Sequence, residues 1–213
     1  MAEKGIFITF EGSEGCGKST QIRRLAAALR GCGREVVMLR EPGGTPIGET
    51  IRHLIQLDED AVAMTPEAEL LLFAASRAQL VREVIRPALA RGSVVLCDRF
   101  LDSTTAYQGA ARAIGLNLVE AINSFAVGET LPDLTLLLDL EAAVGRRRAA
   151  IRKGPFDRME QEPSGFYEAV RQGYLELAAK HPERFVILRA DGTEEAVAAS
   201  IENIIKERFH GLF

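Results

Sequence analysis

The protein has 213 residues, of which 47% are hydrophobic and 26% are charged, as is typical of a globular protein with a hydrophobic core. Its net charge of −4 argues against a general nucleic-acid or membrane binder, so any anionic ligand must be met by a local group of basic residues. No apolar run reaches the roughly 18 residues that a membrane-spanning helix needs.

Five short apolar runs recur along the chain and are separated by helical patterns. The runs span residues 5–10, 35–40, 93–98, 134–140 and 184–190. Runs of this kind are typical of strands that are buried on both faces, as in a parallel sheet. Strands that alternate with helices predict βαβ units, and therefore a three-layer α/β fold with a central five-stranded parallel sheet and helices on both faces.

A glycine-rich loop follows the first predicted strand. Residues 12–19, GSEGCGKS, fit the pattern G-x-x-x-x-G-K-[ST] at every fixed position, between a strand and a helical pattern. The N–H groups of such a loop converge on phosphate oxygens, and the following helix adds its positive end. The loop predicts a P-loop NTPase-type fold that binds a nucleoside triphosphate. The residues expected there are Gly12, Ser13, Glu14, Gly15, Cys16, Gly17, Lys18, Ser19 and Thr20.

Three side chains of this loop have distinct expected roles. Lys18 should reach the β- and γ-phosphates and act in catalysis, and the Ser19 hydroxyl should bind Mg²⁺. Thr20 is expected to serve mainly the first turn of the helix. Cys16 is interpreted as a small side chain, with an acidified and oxidisable thiol as the alternative.

The second and third predicted strands end in residues that suit phosphate chemistry. R-E-P-G-G-T, residues 40–45, predicts a fixed turn where backbone approaches a ligand, with a cis bond between Glu41 and Pro42. The third strand ends at Asp98 and Arg99. Ligands of open α/β sheets bind at the carboxyl ends of the strands. We therefore expect Asp98 to hold Mg²⁺ through water and Arg99 to bind a phosphate.

The longest helical pattern covers residues 66–92, and Gly92 would close it as a C-cap. Its predicted face contains Leu70, Phe73, Ala74, Arg77, Leu80 and Val81. The stretch from residue 193 to the C-terminus predicts an amphipathic helix and a tail, without a chemical role.

A P-loop protein can be a GTPase switch, a transport or motor ATPase, or a small kinase. No N-K-x-D motif for guanine follows a later strand, and no second signature loop of an ABC-type ATPase is present. Arginines at strand ends and helix starts suit a second anionic substrate, which favours a kinase.

Taken together, the motifs resemble those of bacterial thymidylate kinases. In chain order they are E-G-x-E-G-x-G-K-S-T, R-E-P-G-G-T, L-L-F-A-A-S-R-A-Q, D-R-F with S-T-T-A-Y-Q-G, and F-D-R-M-E. The resemblance extends from Ile6 to about Leu177, and R-E-P-G-G-T and A-Y-Q-G are specific to this family among nucleotide kinases. It implies transfer of the γ-phosphoryl of MgATP to thymidine monophosphate, giving the diphosphate and ADP for deoxythymidine triphosphate synthesis. It also implies a homodimer.

The resemblance assigns a second set of residues to the acceptor. They are Glu14, Arg40, Pro42, Arg52, Phe73, Arg77, Arg99, Thr104, Tyr107 and Gln108. Phe73 would stack on thymine, while Arg77 would bind the base edge and Thr104 its ring nitrogen. Tyr107, with Gln108 near it, would exclude a ribose 2′-hydroxyl.

The same resemblance indicates which charged residues of the protein would contact the acceptor. Arg99, together with Arg40 or Arg52, would hold the acceptor phosphate and assist catalysis. Glu14 would lie near the sugar 3′-hydroxyl and the metal. Taken alone, Phe73 would be a core residue and Arg77 a surface arginine, so these roles depend on the joint match of the motifs.

Basic residues concentrate around a charged stretch that is broken by glycine and proline. They are Arg146, Arg147, Arg148, Arg152, Lys153 and Arg158. The resemblance implies a lid at about residues 146–162. Gly15 offers no charge in the loop, which indicates the family type whose lid supplies it. Arg152 or Lys153 is expected to meet the charge that spreads over the transferred phosphoryl, and Arg158 to bind phosphate at the base of the lid.

The three cysteines match neither a zinc pattern nor a disulfide framework, and the N-terminus lacks a signal-peptide pattern. We therefore expect one domain over residues 1–213 in the cytoplasm, with ATP and thymidine monophosphate as partners and neither nucleic acid nor membrane. Two alternatives stay open from the sequence. One is a kinase for another nucleotide or deoxynucleoside, and the other is a P-loop binding or regulatory protein without transfer activity.

Overall fold

The computed structural model describes residues 5–56, 58, 63–151, 158–159 and 162–213. Within this part of the chain, five parallel strands form one sheet in the order β2-β3-β1-β4-β5. The strands are β1 (Ile6–Glu11), β2 (Val36–Arg40), β3 (Val94–Asp98), β4 (Leu134–Asp139) and β5 (Phe185–Arg189). Each one coincides with a predicted apolar run.

Helices connect consecutive strands, and one more helix follows the last strand. They are α1 (Lys18–Gly31), α2 (Pro46–Gln56), α3 (Pro66–Leu80), α4 (Arg86–Ala90), α5 (Leu101–Thr104), α6 (Leu116–Val127), α7 (Ala142–Ile151), α8 (Ser164–Lys180) and α9 (Glu194–Arg208). None of the helices in the described residues combines the length and the apolar character that crossing a bilayer requires.

Alternate residues of the central strand face opposite layers of the core. Ile8 and Phe10 belong to the cluster that α1 and α9 cover. Phe7 belongs to a second cluster, with residues of α3 and of the helical turns that follow it. Because both faces are covered, the strands are apolar at consecutive positions rather than at alternate ones. The predicted three-layer α/β fold is confirmed.

Two stretches of π-helix were not predicted. One, Val81–Ile85, interrupts the predicted helix over residues 66–92, and the other, Thr105–Ala111, extends α5. The first directly precedes the turn that contains Pro87, which has no N–H to donate and therefore disturbs the regular hydrogen-bond register of an α-helix. Gly92, with φ of 85°, follows the helix as expected.

Strand pairing determines which loops meet. Phe10 of β1 lies opposite Asp98 of β3, and Glu11 lies opposite Leu137 of β4. The glycine-rich loop therefore leaves the sheet between the ends of two neighbouring strands. This edge of the sheet carries the candidate site.

Candidate active site

The glycine-rich loop joins β1 to α1 and holds its own lysine close. The Lys18 ammonium donates to the carbonyl oxygens of Gly12 and Ser13, at 3.0 Å each, and lies 3.6 Å from the Cys16 sulfur. Gly12, Gly15 and Gly17 have φ of 134°, 72° and 95°, values that side chains rarely tolerate. The loop is thus built by backbone conformation, as the motif predicts.

Close packing joins this loop to α7. A Cβ atom added to Gly15 would collide with the carbonyl oxygen of Gly145, and one added to Gly145 would collide with the carbonyl oxygen of Glu14. The two backbones therefore touch at a pair of glycines. Position 15 has no room for a basic side chain in this arrangement.

A cavity of about 870 Å³ opens in front of the loop. At its floor, the Ser19 hydroxyl donates to Oδ2 of Asp98 over 2.5 Å. Lys18, Arg40 and Arg52 also line it. Arg40 pairs with Glu49 at 2.7 Å, and Arg52 donates to the carbonyl of Pro42 at 3.1 Å. The cavity therefore combines a loop built for phosphates with several cations.

Arg99 occupies the turn after β3 with φ of 70°, a conformation that is uncommon for a residue other than glycine. Its Nη2 lies 2.5 Å from the Glu14 carboxylate and 3.1 Å from the Tyr107 hydroxyl. Nη1 donates to the carbonyl of Gly12 and to the hydroxyls of Ser103 and Tyr174. The guanidinium is therefore held on several sides, next to the glycine-rich loop.

Glu11, the last residue of β1, has a fully buried side chain. It accepts from the amide of Phe100 at 2.7 Å and from the hydroxyls of Ser103 and Tyr174 at 2.6 and 2.9 Å. Burial, followed by the charge of Asp102, raises the pKa of the Glu11 carboxyl to about 7.

Arg77 and Glu41 form an ion pair inside the protein. Only 1% of the Arg77 residue surface is exposed, and its nitrogens lie 2.6 and 2.8 Å from Oε2 of Glu41. Arg77 also donates to Asn123 and to the carbonyl of Phe100. Burial raises the pKa of the Glu41 carboxyl to about 6, although Arg77 acts in the opposite direction. The bond between Glu41 and Pro42 is cis, as predicted.

A second, smaller cavity of about 40 Å³ adjoins the first. Its wall includes Pro42, Phe73, Thr104, Tyr107 and Gln108. The Thr104 residue is 1% exposed, and its hydroxyl has no hydrogen-bond partner among the described residues. A buried hydroxyl without a partner is costly, so this wall favours a ligand that supplies one.

Glu69 anchors the outer side of this wall. Its carboxylate accepts from Gln108 at 2.7 Å and from Arg112 at 3.3 Å, and it pairs with Arg158. These contacts lower the pKa of Glu69 even though burial acts in the opposite direction. Arg158, expected at a phosphate, is thus held by Glu69 and by the carbonyl of Ile55.

Comparisons with known proteins identify the family. The sequence model of thymidylate kinases matches residues 10–201. The chain belongs to the thymidylate kinase family. The thymidylate kinase of Deinococcus radiodurans is 50% identical over 207 residues, which cover 97% of this chain and 99% of the relative. That of Geobacter sulfurreducens is 50% identical over 209 residues, covering 96% and 98%.

A solved structure agrees with this family. The crystal structure of thymidylate kinase from Ehrlichia chaffeensis has a TM-score of 0.77 and 33% identity, covering 95% of this chain and 98% of that one. As a thymidylate kinase, the protein is a nucleoside monophosphate kinase that phosphorylates thymidine monophosphate to the diphosphate, with ATP as the other substrate.

Most of the residues that the motifs indicate in this thymidylate kinase lie together. The large cavity is lined by Glu14, Gly15, Cys16, Gly17, Lys18, Ser19, Thr20, Arg40, Arg52, Asp98 and Arg99. Gly12 and Ser13 contribute carbonyls to Lys18. Arg77 is not brought to either cavity wall, so its contact with the base edge stays a prediction. Arg152 and Lys153 lie outside the described residues, as does part of the predicted lid.

Several residues that line the cavities of this kinase were not predicted as site residues from the sequence. Glu41 and Gln56 line both cavities, and Met159 lines the smaller one. The large cavity is also lined by Arg148, Ala190, Gly192, Thr193, Glu194 and Val197. Three of these belong to the C-terminal stretch to which no role was given. The signal that was available is their position after the last strand, where ligands of such sheets bind.

Proposed function

We propose that the large cavity binds ATP, that the small cavity binds thymidine monophosphate, and that phosphoryl transfer takes place where they meet. One observation carries this assignment. Glu14, Glu41, Gln56 and Arg99 line both cavities, so the two spaces share a boundary beside the glycine-rich loop. A donor phosphate cradled by the loop and an acceptor phosphate bound at Arg99 would then face each other, as in-line transfer requires.

The donor nucleotide lies along the large cavity in this proposal. The residues of the loop, 12–20, bind its phosphates, and Lys18 leaves the carbonyls of Gly12 and Ser13 to reach the β- and γ-phosphates. The adenine lies beside Arg148 and Thr193, which line the same cavity as the loop. The side chain of Arg148, held by the carbonyl of Ala190 at 2.9 Å, offers a flat guanidinium on which a base can stack.

Ser19 and Asp98 are suited to hold the divalent metal of the reaction, which we propose is Mg²⁺. Their oxygens are hard ligands that lie 2.5 Å apart, beside the cations of the large cavity. Mg²⁺ in such enzymes takes few protein ligands and keeps waters and phosphate oxygens. When bound, it would supply positive charge that offsets the negative charge of the phosphates.

Residues around the boundary stabilise the transfer and need not form a covalent intermediate, because the acceptor is already a phosphate oxygen. Arg99 holds the acceptor phosphate, assisted by Arg40 or Arg52. Lys18 and the lid, through Arg152 or Lys153, supply the positive charge that offsets the negative charge of the transferred phosphoryl. Gly15 leaves no space for a basic side chain in the loop, which supports a charge supplied by the lid.

The acceptor base and sugar bind against the wall of the small cavity, whose side chains move apart to admit them, because a volume of about 40 Å³ holds only about one water molecule. Phe73 stacks on thymine, and the Thr104 hydroxyl bonds its ring nitrogen, which supports the assignment because that hydroxyl is buried without a partner. Tyr107 and Gln108 crowd the sugar 2′ position, Pro42 closes one side, and Glu14 lies near the 3′-hydroxyl. Arg77 reaches the base edge only if its bonds to Asn123 and Phe100 rearrange.

We further propose that the protein is a homodimer that pairs through α3 and α6. These helices pack side by side, and both expose large apolar side chains. Leu71 is 57% exposed, Leu118 54% and Phe125 84%. An apolar surface of this kind is typical of an interface. Phe125→Glu should shift the sedimentation of the protein to that of a monomer, whereas Leu131→Glu, at another exposed leucine, should not. A dimer that survives Phe125→Glu would contradict this pairing.

One kinase domain over residues 1–213 and a location in the cytoplasm complete the proposal. The domain extent is supported by the single sheet that β1 to β5 form. The location is supported by Cys16, Cys32 and Cys97, which are free thiols.

The test is ADP release from MgATP with a panel of acceptors: the monophosphates of thymidine, deoxyuridine, deoxycytidine, adenosine and guanosine. We expect a strong preference for thymidine monophosphate, and Thr104→Val should reduce it while ADP formation still requires Lys18. Preference for another acceptor would contradict the small cavity as the thymine site and leave the donor residues in their roles.

A further inference from the structure

Glu11 has a buried carboxyl group and no role in the proposed function. It ends β1, directly before the glycine-rich loop, and its side chain points to the side of α5 and α8 through its bonds to Ser103 and Tyr174. A fully buried carboxyl is unusual in a protein unless its oxygens are paired. All three of its partners also lie around Arg99.

The three hydrogen bonds of Glu11 divide between its two oxygens. Oε1 accepts from the amide of Phe100, the residue after Arg99. Oε2 accepts from the hydroxyls of Ser103 and Tyr174. Those two hydroxyls lie 2.7 Å from each other, and each lies 3.2 Å from Nη1 of Arg99. Oε2 of Glu11 therefore accepts hydrogen bonds from the same two hydroxyls that accept hydrogen bonds from Nη1 of Arg99.

The backbone conformation also helps to fix the position of Arg99. Arg99 has φ of 70°, and such a conformation persists only where its surroundings enforce it. The amide of Arg99 donates to Phe10 at 3.0 Å, and the next amide, that of Phe100, donates to Glu11. The end of β1 thus fixes the chain on both sides of the Arg99 side chain.

We propose that Glu11 is a positioning residue for the acceptor phosphate site, which orients Arg99 through Ser103, Tyr174 and the amide of Phe100. This inference rests on the proposed role of Arg99. An ionised carboxylate can only accept hydrogen bonds. At least one of the two hydroxyl hydrogens of Ser103 and Tyr174 therefore points to Glu11, the other points to Glu11 or to the neighbouring hydroxyl, and lone pairs of both oxygens face the N–H groups of Arg99.

Glu11→Gln tests the inference because it keeps the size of the side chain. Its amide oxygen can still accept from Phe100, but its NH₂ group donates and cannot take the two hydroxyl hydrogens. At pH 8 we expect kcat/KM for thymidine monophosphate to fall about 10- to 100-fold, as for loss of hydrogen bonds to a charged group. ATP binding in the absence of acceptor should change by less than about twofold. Glu11→Asp, which keeps the charge, should recover part of the loss.

Thr9→Val is the matched control. Thr9 lies two positions earlier on β1 with a fully buried side chain, and it bonds Thr135 rather than any partner of Arg99. The variant should lower the melting temperature without changing kcat/KM for thymidine monophosphate. A loss of activity in Thr9→Val equal to that in Glu11→Gln would mean that Glu11 acts only through stability, and would overturn the inference.

A double-mutant cycle separates positioning from other effects. In the Ser103→Ala, Tyr174→Phe background, adding Glu11→Gln should change kcat/KM for the acceptor by less than about twofold, because both hydroxyls are gone and the amide oxygen of the glutamine still accepts from Phe100. A full additional loss in that background would overturn the inference. If Glu11→Gln fails to fold, Ser103→Ala and Tyr174→Phe carry the test, and unchanged acceptor kinetics in both would overturn it as well.

Arg99→Ala distinguishes failure of this inference from failure of the proposed function. A large loss in Arg99→Ala with normal kinetics in Glu11→Gln removes only the role of Glu11. Normal acceptor kinetics in Arg99→Ala would remove the proposed role of Arg99 and the inference together.

Discussion

The proposed donor side of this kinase is formed mainly by backbone groups, and the proposed acceptor side mainly by side chains. On the donor side, the loop over residues 12–19 presents backbone groups, and glycines with positive φ make its shape. On the acceptor side, side chains make the site: Arg99 is fixed by Glu14, Ser103 and Tyr174, and Gln108 by Glu69. A backbone site needs only a short contiguous motif, whereas a side-chain site needs partners from distant parts of the chain.

This difference has a consequence for substitutions. On the donor side, a change of one side chain acts locally, unless it adds a Cβ where backbones touch. On the acceptor side, the substrate-facing groups depend on carboxylates behind them, so changes at residues that never meet substrate should alter kinetics. Four predictions test this contrast.

Removing the lysine of the glycine-rich loop should have the largest effect. Lys18→Ala is expected to lower kcat by about 10²- to 10³-fold, because a preorganised positive group at the developing phosphate charge is lost. Steady-state kinetics with saturating MgATP measure it. Lys180→Ala, which removes an exposed lysine that pairs with Glu120, serves as control and should keep full activity.

On the acceptor side, the titration of Glu11 should make the stability of the protein depend on pH. The pKa of Glu11 is raised from 4.5 to about 7, so the folded state binds its proton more tightly than the unfolded state does. Stability from this group is therefore present at low pH and is lost as the pH rises from about 4.5 to about 7. Over that window the free energy of unfolding of Glu11→Gln should gain up to about 3 kcal/mol relative to wild type.

Chemical denaturation at several pH values measures this difference. Asp102, Arg99 and Tyr174 also act on Glu11, so the comparison is made between wild type and Glu11→Gln only. A constant difference across the window would contradict a Glu11 that titrates near neutrality.

Contact between the loop and α7 is the one donor-side point that should be sensitive to a small addition. Gly145→Ala is expected to lower the free energy of unfolding by about 1–3 kcal/mol and to weaken ATP binding, because its Cβ meets the Glu14 carbonyl. Gly165→Ala in α8 has open space around it and should stabilise the protein slightly. Equal melting temperatures for the two variants would argue against the close approach.

Thr104→Val should have the smallest effect and an unusual combination of signs. Its hydroxyl has no partner within the described residues, so its loss should not reduce stability. The KM for thymidine monophosphate should rise about tenfold through one lost hydrogen bond. Thr105→Val removes a hydroxyl that is bonded to Asn123 and Leu101. It should lower the stability of the protein and leave the KM for thymidine monophosphate unchanged. An unchanged KM in Thr104→Val would remove this residue from the acceptor site.

Much of the fold could be predicted from the sequence, because local patterns carry it. Five apolar runs located all five strands, and the loop motif located the phosphate edge of the sheet. The π-helical stretches could not be predicted, since they depend on how Pro87 and the packing of residues 105–111 shift the hydrogen-bond register. Nothing in the periodicity of the sequence reports such a shift.

The candidate site divides in the same way. Phe73, Thr104 and Tyr107 are close together as the motifs indicated. The burial of Arg77 against Glu41 was not foreseen, because a helical pattern gives the face of a residue but not the carboxylate that captures it. Glu11 is the first residue of the motif E-G-x-E-G-x-G-K-S-T, but its hydrogen-bond partners Ser103 and Tyr174 lie about 90 and 160 positions away along the chain. The motif therefore could not indicate these contacts.

The paired glycines of the loop and α7 also limit how this sequence can change over evolutionary time. Gly15 and Gly145 touch through their backbones, so neither position can acquire a side chain while the other segment stays where it is. If the lid supplies the catalytic charge as proposed, a descendant that placed a basic side chain at position 15 would first have to shift α7 away from the loop. Adding a side chain at position 15 therefore takes two ordered changes rather than one substitution.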